Sequence, residues 1–197
     1  MGKQPPPSYE NADSPKPSKL HVRILENTVE TLEGNPFLEI RREPPASPKQ
    51  QPVLTLINVH TGASWSTIEY HGNSKGAHIN VQIEAGEVVL NKRGKINISY
   101  EFNSNVQVGV EFFWRLQDST HLYLERVGQK TMVARIDDGQ LTVLDGDLSK
   151  EAWEEIVATG IAMVELCRAK KSGKGVFFGH TAAEAVALAL TAVTFFF

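Results

Sequence analysis

The sequence predicts an all-β fold with one central helix: a β-barrel of about 10–12 antiparallel strands around a hydrophobic helix, with a tail at each end of the chain. Three observations lead to this prediction: short segments in which apolar and polar residues alternate, turn signals between those segments, and one helix with almost no polar face. With 197 residues, the chain is long enough to bury a substantial core.

Residues 1–19 form the first predicted region, a disordered proline-rich tail. All ten prolines lie at or before residue 52, and five of them fall in this tail. Such a segment cannot bury enough apolar surface to offset the entropy lost on ordering. A second polar stretch, 43–52, is predicted to be an exposed loop between two strands.

Strands are predicted from about residue 20 onward, where apolar residues recur at every second position. Residues 79–83 and 95–102 place Ile79, Val81, Ile83, Ile96, Ile98, Tyr100 and Phe102 on buried faces. The longest pattern, 106–116, does the same with Val106, Val108, Val110, Phe112, Trp114 and Leu116. Turn signals between the segments give about eleven strands, and we expect the barrel region to cover residues 20–172.

A single helix is predicted over residues 150–169. Ser149 is a suitable N-cap, acidic residues including Glu155 follow in the first turns, and basic residues occupy the last turn. A helix that is apolar all round is buried on every side, and the centre of a closed barrel offers such a place. The residues that define its central part are Trp153, Ile156, Val157, Gly160, Ile161 and Val164.

Residues 173–197 form an apolar C-terminal segment. The last 22 residues, 176–197, could cross a bilayer as a helix, since about 20 residues suffice. His180 and Glu184 disfavour that arrangement, because a carboxylate at mid-bilayer costs roughly 2.5–3.5 kcal/mol. The alternatives are a helix lying on a membrane surface, a segment packed on the barrel, and a contact with another chain. We expect a peripheral or packed segment first.

Composition excludes several classes of function. The net charge is −3 and no basic run is interleaved with aromatic residues, so a nucleic-acid partner is not expected. The single cysteine, Cys167, allows no intramolecular disulfide, which fits a cytoplasmic protein. Sequence motifs for a hydrolase elbow, a Walker A loop or a zinc protease do not occur, so we expect a protein that is not an enzyme and holds no cofactor. His60, His71 and His78 are interpreted as solvated turn residues rather than metal ligands, and no metal is expected.

The chain resembles the tubby C-terminal-like superfamily, which includes tubby proteins, phospholipid scramblases and LURP-one-related proteins. The resemblance lies in F-F-W-R-L, H-L-Y-L-E-R and K-T-M-V-A-R-I-D-D-G-Q-L-T-V-L, followed by W-E-E-I-V-A-T-G-I-A-M-V-E. The order of these elements is most similar to that of the small fungal tubby-like domains. It covers roughly residues 20–168 and is strongest after residue 106.

The resemblance implies a non-enzymatic binding or scaffold module, peripheral to membranes, that binds lipid or protein. The basic constellation with which tubby proteins hold phosphoinositides is not found here, nor are the cysteine-rich cluster and calcium segment of scramblases. The alternatives are a protein-interaction module whose C-terminal segment packs in an interface, and a scramblase-like lipid-handling protein. Residues proposed to contact an anionic phospholipid are Arg168, Lys170, Lys171 and Lys174.

A PPxY motif lies in the N-terminal tail, formed by Pro6, Pro7 and Tyr9. The prolines favour a polyproline II turn on the groove of a WW domain, and the tyrosine fills a second pocket. WW domains commonly belong to ubiquitin ligases and adaptors, so such a protein is the expected partner. The alternative is a proline-rich tail that matches by chance.

Overall fold

The computed structural model describes residues 21–44, 52–72, 77–94, 98–146 and 148–171. Within these ranges the chain forms twelve strands and the helix α1, Lys150–Lys171. The strands in chain order are β1 (His21–Ile24), β2 (Thr28–Thr31), β3 (Pro36–Glu43), β4 (Val53–Asn58), β5 (Ser64–His71), β6 (His78–Ile83), β7 (Gly86–Arg93), β8 (Ser99–Asn103), β9 (Glu111–Leu116), β10 (His121–Arg126), β11 (Thr131–Asp137) and β12 (Gln140–Val143). The predicted fold class is confirmed.

The strands form one closed antiparallel barrel. Each strand pairs with its neighbours in sequence, and β1 pairs with β12, with Val22 opposite Leu141, which closes the sheet. Because neighbouring strands run in opposite directions, their connections alternate between two ends. We call the end where α1 begins the lower end and the end where α1 finishes the upper end.

Alternating side chains of the strands point into the barrel and form its core. Ile79, Val81 and Ile83 of β6 are at most 6% exposed, and Tyr100 and Phe102 of β8 are at most 2% exposed. These are the faces that the period-two pattern predicted. The sheet therefore buries one face around α1 and presents the other to solvent.

The prediction of one continuous strand over 106–116 is wrong in its first half. Strand β9 begins only at Glu111, and Val108 is 95% exposed on the β8–β9 loop. The hydroxyl oxygen of Ser104 accepts hydrogen bonds from the backbone nitrogens of Val106 and Gln107, at 3.2 and 2.9 Å. These local bonds satisfy the backbone of the loop, so the valine alternation does not extend the ladder.

Helix α1 runs through the barrel, and every residue from 155 to 164 is buried. Ser149 caps it as predicted, because its hydroxyl oxygen accepts a hydrogen bond from the backbone nitrogen of Ala152 at 3.2 Å. The basic residues of the last turn follow at the upper end, and the helix continues two residues past the predicted end, to Lys171. The prediction of a central helix is confirmed, and its middle part is enclosed by the barrel.

Candidate functional site

Cationic side chains gather at the upper end, where α1 leaves the barrel. The last turn of α1 carries Arg168, Lys170 and Lys171, and β7 brings Lys92 to the same end. Partial burial lowers the pKa of Lys170, and so does repulsion from Lys92, whereas Cys167 acts in the opposite direction. An anion bound at this end would therefore be attracted by several positive charges.

Arg168 fixes the end of α1 to the barrel. Its Nη1 donates to the carbonyl oxygen of Leu25 at 2.8 Å, and its Nη2 donates to that of Ile24 at 2.6 Å. Nη1 also contacts Glu165 Oε1 at 2.6 Å. These bonds join the last turn of the helix to the end of β1, so Arg168 has a structural role beside any contact with lipid.

Two arginines form ion pairs with Glu165, the one carboxylate in the last turns of α1. Glu165 Oε2 lies 2.9 Å from Arg42 Nη2, its Oε1 lies 2.6 Å from Arg168, and the Glu165 side chain is only 10% exposed. Arg42 also donates through Nη1 to Asn27 Oδ1 at 2.9 Å. The charge of Glu165 is therefore paired with two guanidinium groups.

Two small cavities open beside these cations, of about 210 and 200 Å³. Ser119 and Cys167 line both of them. Thr120, Arg168 and Lys171 also line the larger cavity, and Lys170 also lines the smaller one. Hydroxyl, guanidinium and ammonium groups are the donors that bind phosphate oxygens.

Each cavity also contains a carboxylate, Asp118 in the smaller and Asp138 in the larger. Asp118 accepts hydrogen bonds from the backbone nitrogen of Thr120 at 2.7 Å, from its hydroxyl at 2.8 Å and from the backbone nitrogen of His121 at 2.8 Å. These bonds hold the pKa of Asp118 well below its usual range. Asp118 in turn raises the pKa of His121, because His121 Nδ1 lies 2.8 Å from Asp118 Oδ2.

Cys167 is a core residue. It is 3% exposed, and burial raises the pKa of its thiol to about 11. At neutral pH the sulfur is therefore protonated, and a thiol in that state is a poor nucleophile.

The predicted central-helix residues lie inside the barrel, with one exception. Ile156, Val157, Gly160, Ile161 and Val164 are buried. Trp153 lies at the lower end instead, half-buried, with its ring 6.2 Å from that of Phe37 and 6.5 Å from that of Trp65. Lys174, the PPxY residues Pro6, Pro7 and Tyr9, and the segment 173–197 lie outside the described residues.

The three histidines considered as metal ligands do not converge. His71 and His78 stand opposite each other on β5 and β6, with their rings stacked at 4.7 Å. His60 belongs to the β4–β5 turn, at the other end of the barrel. Among the described residues, no group of three or more His, Cys, Asp or Glu side chains is arranged to hold a metal ion.

Two features of the structure were not predicted, one at the upper end and one near the start of α1. Lys92 carries no recognisable signal, because a lysine near the end of a strand is usually a solvated surface residue. Glu155 was expected to be one of the acids near the helix N-terminus, yet it is 1% exposed. Its carboxylate accepts hydrogen bonds from Ser104 Oγ at 2.6 Å and from the backbone nitrogen of Asn105 at 2.8 Å.

Comparison of the chain with protein-family models, curated proteins and solved structures found no match. In the described part of the chain, no helix has the length and apolar character needed to cross a membrane.

Proposed function

We propose that this protein is a non-enzymatic binding module, and that its upper end contacts the anionic phospholipids of a membrane surface as a peripheral cytoplasmic protein. The observation that carries the proposal is the position of Lys92, Lys170 and Lys171 at one end of the barrel, where two arginines pair the carboxylate of Glu165. The tubby-like resemblance of the sequence supports the same class of function.

Electrostatic attraction gives the expected strength of this contact. A Lys or Arg near an anionic membrane surface contributes about 1 kcal/mol, and the attraction decays within a Debye length. Lys170 and Lys171 together would then contribute about 2 kcal/mol, which corresponds to a change in affinity of about 30-fold.

Vesicle flotation tests the proposal. The full chain should float with vesicles of phosphatidylcholine and phosphatidylserine, fail to float with pure phosphatidylcholine, and be released by added salt. The double variant Lys170→Gln/Lys171→Gln should bind about 30-fold more weakly. The matched control is Lys130→Gln/Lys150→Gln, which removes the same charge from the lower end and should bind as the parent does. Equal losses in the two double variants would contradict the assignment to the upper end.

A chain ending at Ser172 separates the barrel from the C-terminal segment. If the lysines carry the contact, the shortened chain still floats and remains sensitive to salt. If only the full chain floats and it resists alkaline extraction, the segment itself enters the bilayer. If neither floats, the protein-interaction alternative replaces the lipid proposal.

The second proposed function is recruitment of a WW-domain protein, such as a ubiquitin ligase or adaptor, by the N-terminal tail. The observation that favours it is the sequence P-P-S-Y at residues 6–9. This contact would be separate from the upper end of the barrel, so one chain could join a WW-domain partner to a membrane surface.

A further inference from the structure

A larger cavity, of about 350 Å³, opens at the lower end of the barrel. It therefore lies away from the cations of the upper end, and its role does not rest on the proposed lipid contact. Its volume falls within the range of small-molecule sites. The residues that line it are Ser64, Trp65, Ser66, Thr67, Gln82, Ile83, Glu84 and Glu154.

The cavity forms where β5 and β6 separate. Their ladder ends at the pair Thr67–Gln82, and residues 64–66 of β5 continue past it. On its other side β5 carries a β-bulge: Leu56 pairs with Ser66 and Ile57 with Ser64, which leaves Trp65 between the two pairs. Bulges redirect side chains and are common beside binding sites.

Ser66 has a buried hydroxyl group that lacks a hydrogen-bond partner among the described residues. It is 3% exposed, and its Oγ is buried without a hydrogen-bond partner among the described residues. An unpaired buried hydroxyl costs free energy, which a hydrogen bond to a bound molecule would recover. Ser66 is one of the residues that line the cavity.

The charge and shape of the lining define the ligand. Glu84 and Glu154 are the charged residues among those lining the cavity, so within the described chain the lining carries two carboxylates and no cation. The Glu154 side chain is 13% exposed and forms an ion pair with Lys150, at 3.6 Å, whose side chain is 77% exposed. Trp65 adds an aromatic wall, held by its edge-to-face contact with Trp153.

We propose that this cavity binds a small organic cation of the alkylammonium class. Its ammonium group would donate to Glu154 and Glu84, and its alkyl chain would pack on Trp65, whose ring also attracts a cation. The hydroxyl of Ser66 would bond the polar end of the ligand. The exposed ammonium of Lys150 would be displaced from Glu154, at little cost because such an ion pair is weak.

Isothermal titration calorimetry on the full chain tests this proposal. The probe is the diamine cadaverine, and the comparison ligands are pentanol and glutarate, which have five-carbon chains but are neutral and anionic. We expect saturable binding of cadaverine alone. No saturable heat with cadaverine, or equal binding of glutarate, overturns the proposal. Cadaverine represents a free polyamine, and a lysine capped at both ends represents a lysine side chain of a protein. The probe that binds more tightly shows which of these two kinds of ligand the cavity prefers.

Variants locate the binding. Glu154→Gln and Glu84→Gln should each weaken cadaverine binding about tenfold or more, because each removes a charge-assisted hydrogen bond. Ser66→Ala should weaken it about fivefold. Glu33→Gln is the matched control, because Glu33 lies on the β2–β3 turn at the same end but outside the cavity lining. Unchanged cadaverine affinity in both Glu84→Gln and Glu154→Gln, or an equal loss of affinity in Glu33→Gln, overturns the assignment. Because Glu84 is exposed, the Glu84→Gln variant keeps the fold.

Discussion

Trp114 of β9 donates its indole Nε1–H to Thr159 Oγ1 of α1 at 3.1 Å, and both side chains are fully buried. Thr159 Oγ1 in turn donates to the carbonyl oxygen of Ile156 at 3.2 Å. A second bond of the same kind joins Tyr70 OH of β5 to the carbonyl oxygen of Ala162 at 2.9 Å. Apolar contacts alone would let the helix rotate or slide, whereas these directional bonds fix its position in the barrel.

The bond between Trp114 and Thr159 can be measured by a double-mutant cycle. Thr159→Val leaves the indole N–H buried and unpaired, which should lower the free energy of unfolding by about 1–3 kcal/mol. In a Trp114→Phe background the same change should cost less, with a coupling energy of about 0.5–1.5 kcal/mol. Urea unfolding of the four proteins gives the values, and additive losses would show that the bond contributes nothing to stability.

Glu155 should make stability depend on pH. Burial raises the pKa of its carboxyl above the ordinary value of 4.5, although the bonds from Ser104 and Asn105 act in the opposite direction. The stabilisation due to the protonated form is fully present below pH 4.5 and is lost as the pH rises through the raised folded-state pKa. The unfolding free energy of the parent, measured relative to Glu155→Gln, should therefore fall with rising pH across that window. A difference independent of pH would mean that the carboxyl titrates normally in the fold.

Gly160 sets how closely the helix approaches the barrel wall. A Cβ at this position would lie 3.4 Å from Leu141 Cδ2, 3.4 Å from Trp114 Cζ2 and 3.5 Å from Ile136 Cδ1, so one methyl group fits and a longer side chain does not. We expect Gly160→Ala to melt no lower than the parent, since alanine gains about 0.8–1 kcal/mol of helix propensity. Gly160→Leu should lose about 1–3 kcal/mol or more through overpacking. Thermal melting of the two variants and the parent measures these differences. A Gly160→Leu variant as stable as Gly160→Ala would place α1 away from these side chains.

Lowering the pH should strengthen vesicle binding through His121. Its hydrogen bond with Asp118 raises its pKa, so as the pH falls it gains a positive charge at a higher pH than an ordinary histidine does, and this charge lies at the upper end. His121→Gln therefore isolates the effect: flotation with anionic vesicles should depend less on pH in this variant than in the parent. Identical pH profiles would exclude His121 from the contact.

Replacing Tyr9 should abolish capture of WW domains. The tyrosine of a PPxY motif fills its own pocket on the domain, so Tyr9→Ala removes that anchor while leaving Pro6 and Pro7 in place. A pull-down with a purified WW domain compares the two chains, and Tyr123→Phe, a change on β10, serves as the control. Equal capture of the Tyr9→Ala and parent chains would identify the motif as a chance match.

The fold class, and the buried faces of most strands, follow from the amino-acid pattern. Ile79, Val81 and Ile83 alternate with polar residues, and an alternating pattern has one arrangement in a sheet that buries all of its apolar side chains. In the same way, the run from Ile156 to Val164 can be buried on every side only within a surrounding structure. These conclusions depend on local periodicity, and the sequence records that directly.

The tertiary structure alone decided which distant residues meet. The valines of 106–110 show the period of a strand, yet they form a loop because Ser104 and the buried Glu155 bind its backbone. The placement of Lys92 and Lys170 at the same end of the barrel likewise depends on how the strands pair, and the unpaired hydroxyl of Ser66 lies where two strands separate. Periodicity fixes the face of the sheet on which a side chain lies. The neighbours of that side chain depend on the pairing register and on the position of α1, and both are set by contacts between residues far apart in the chain.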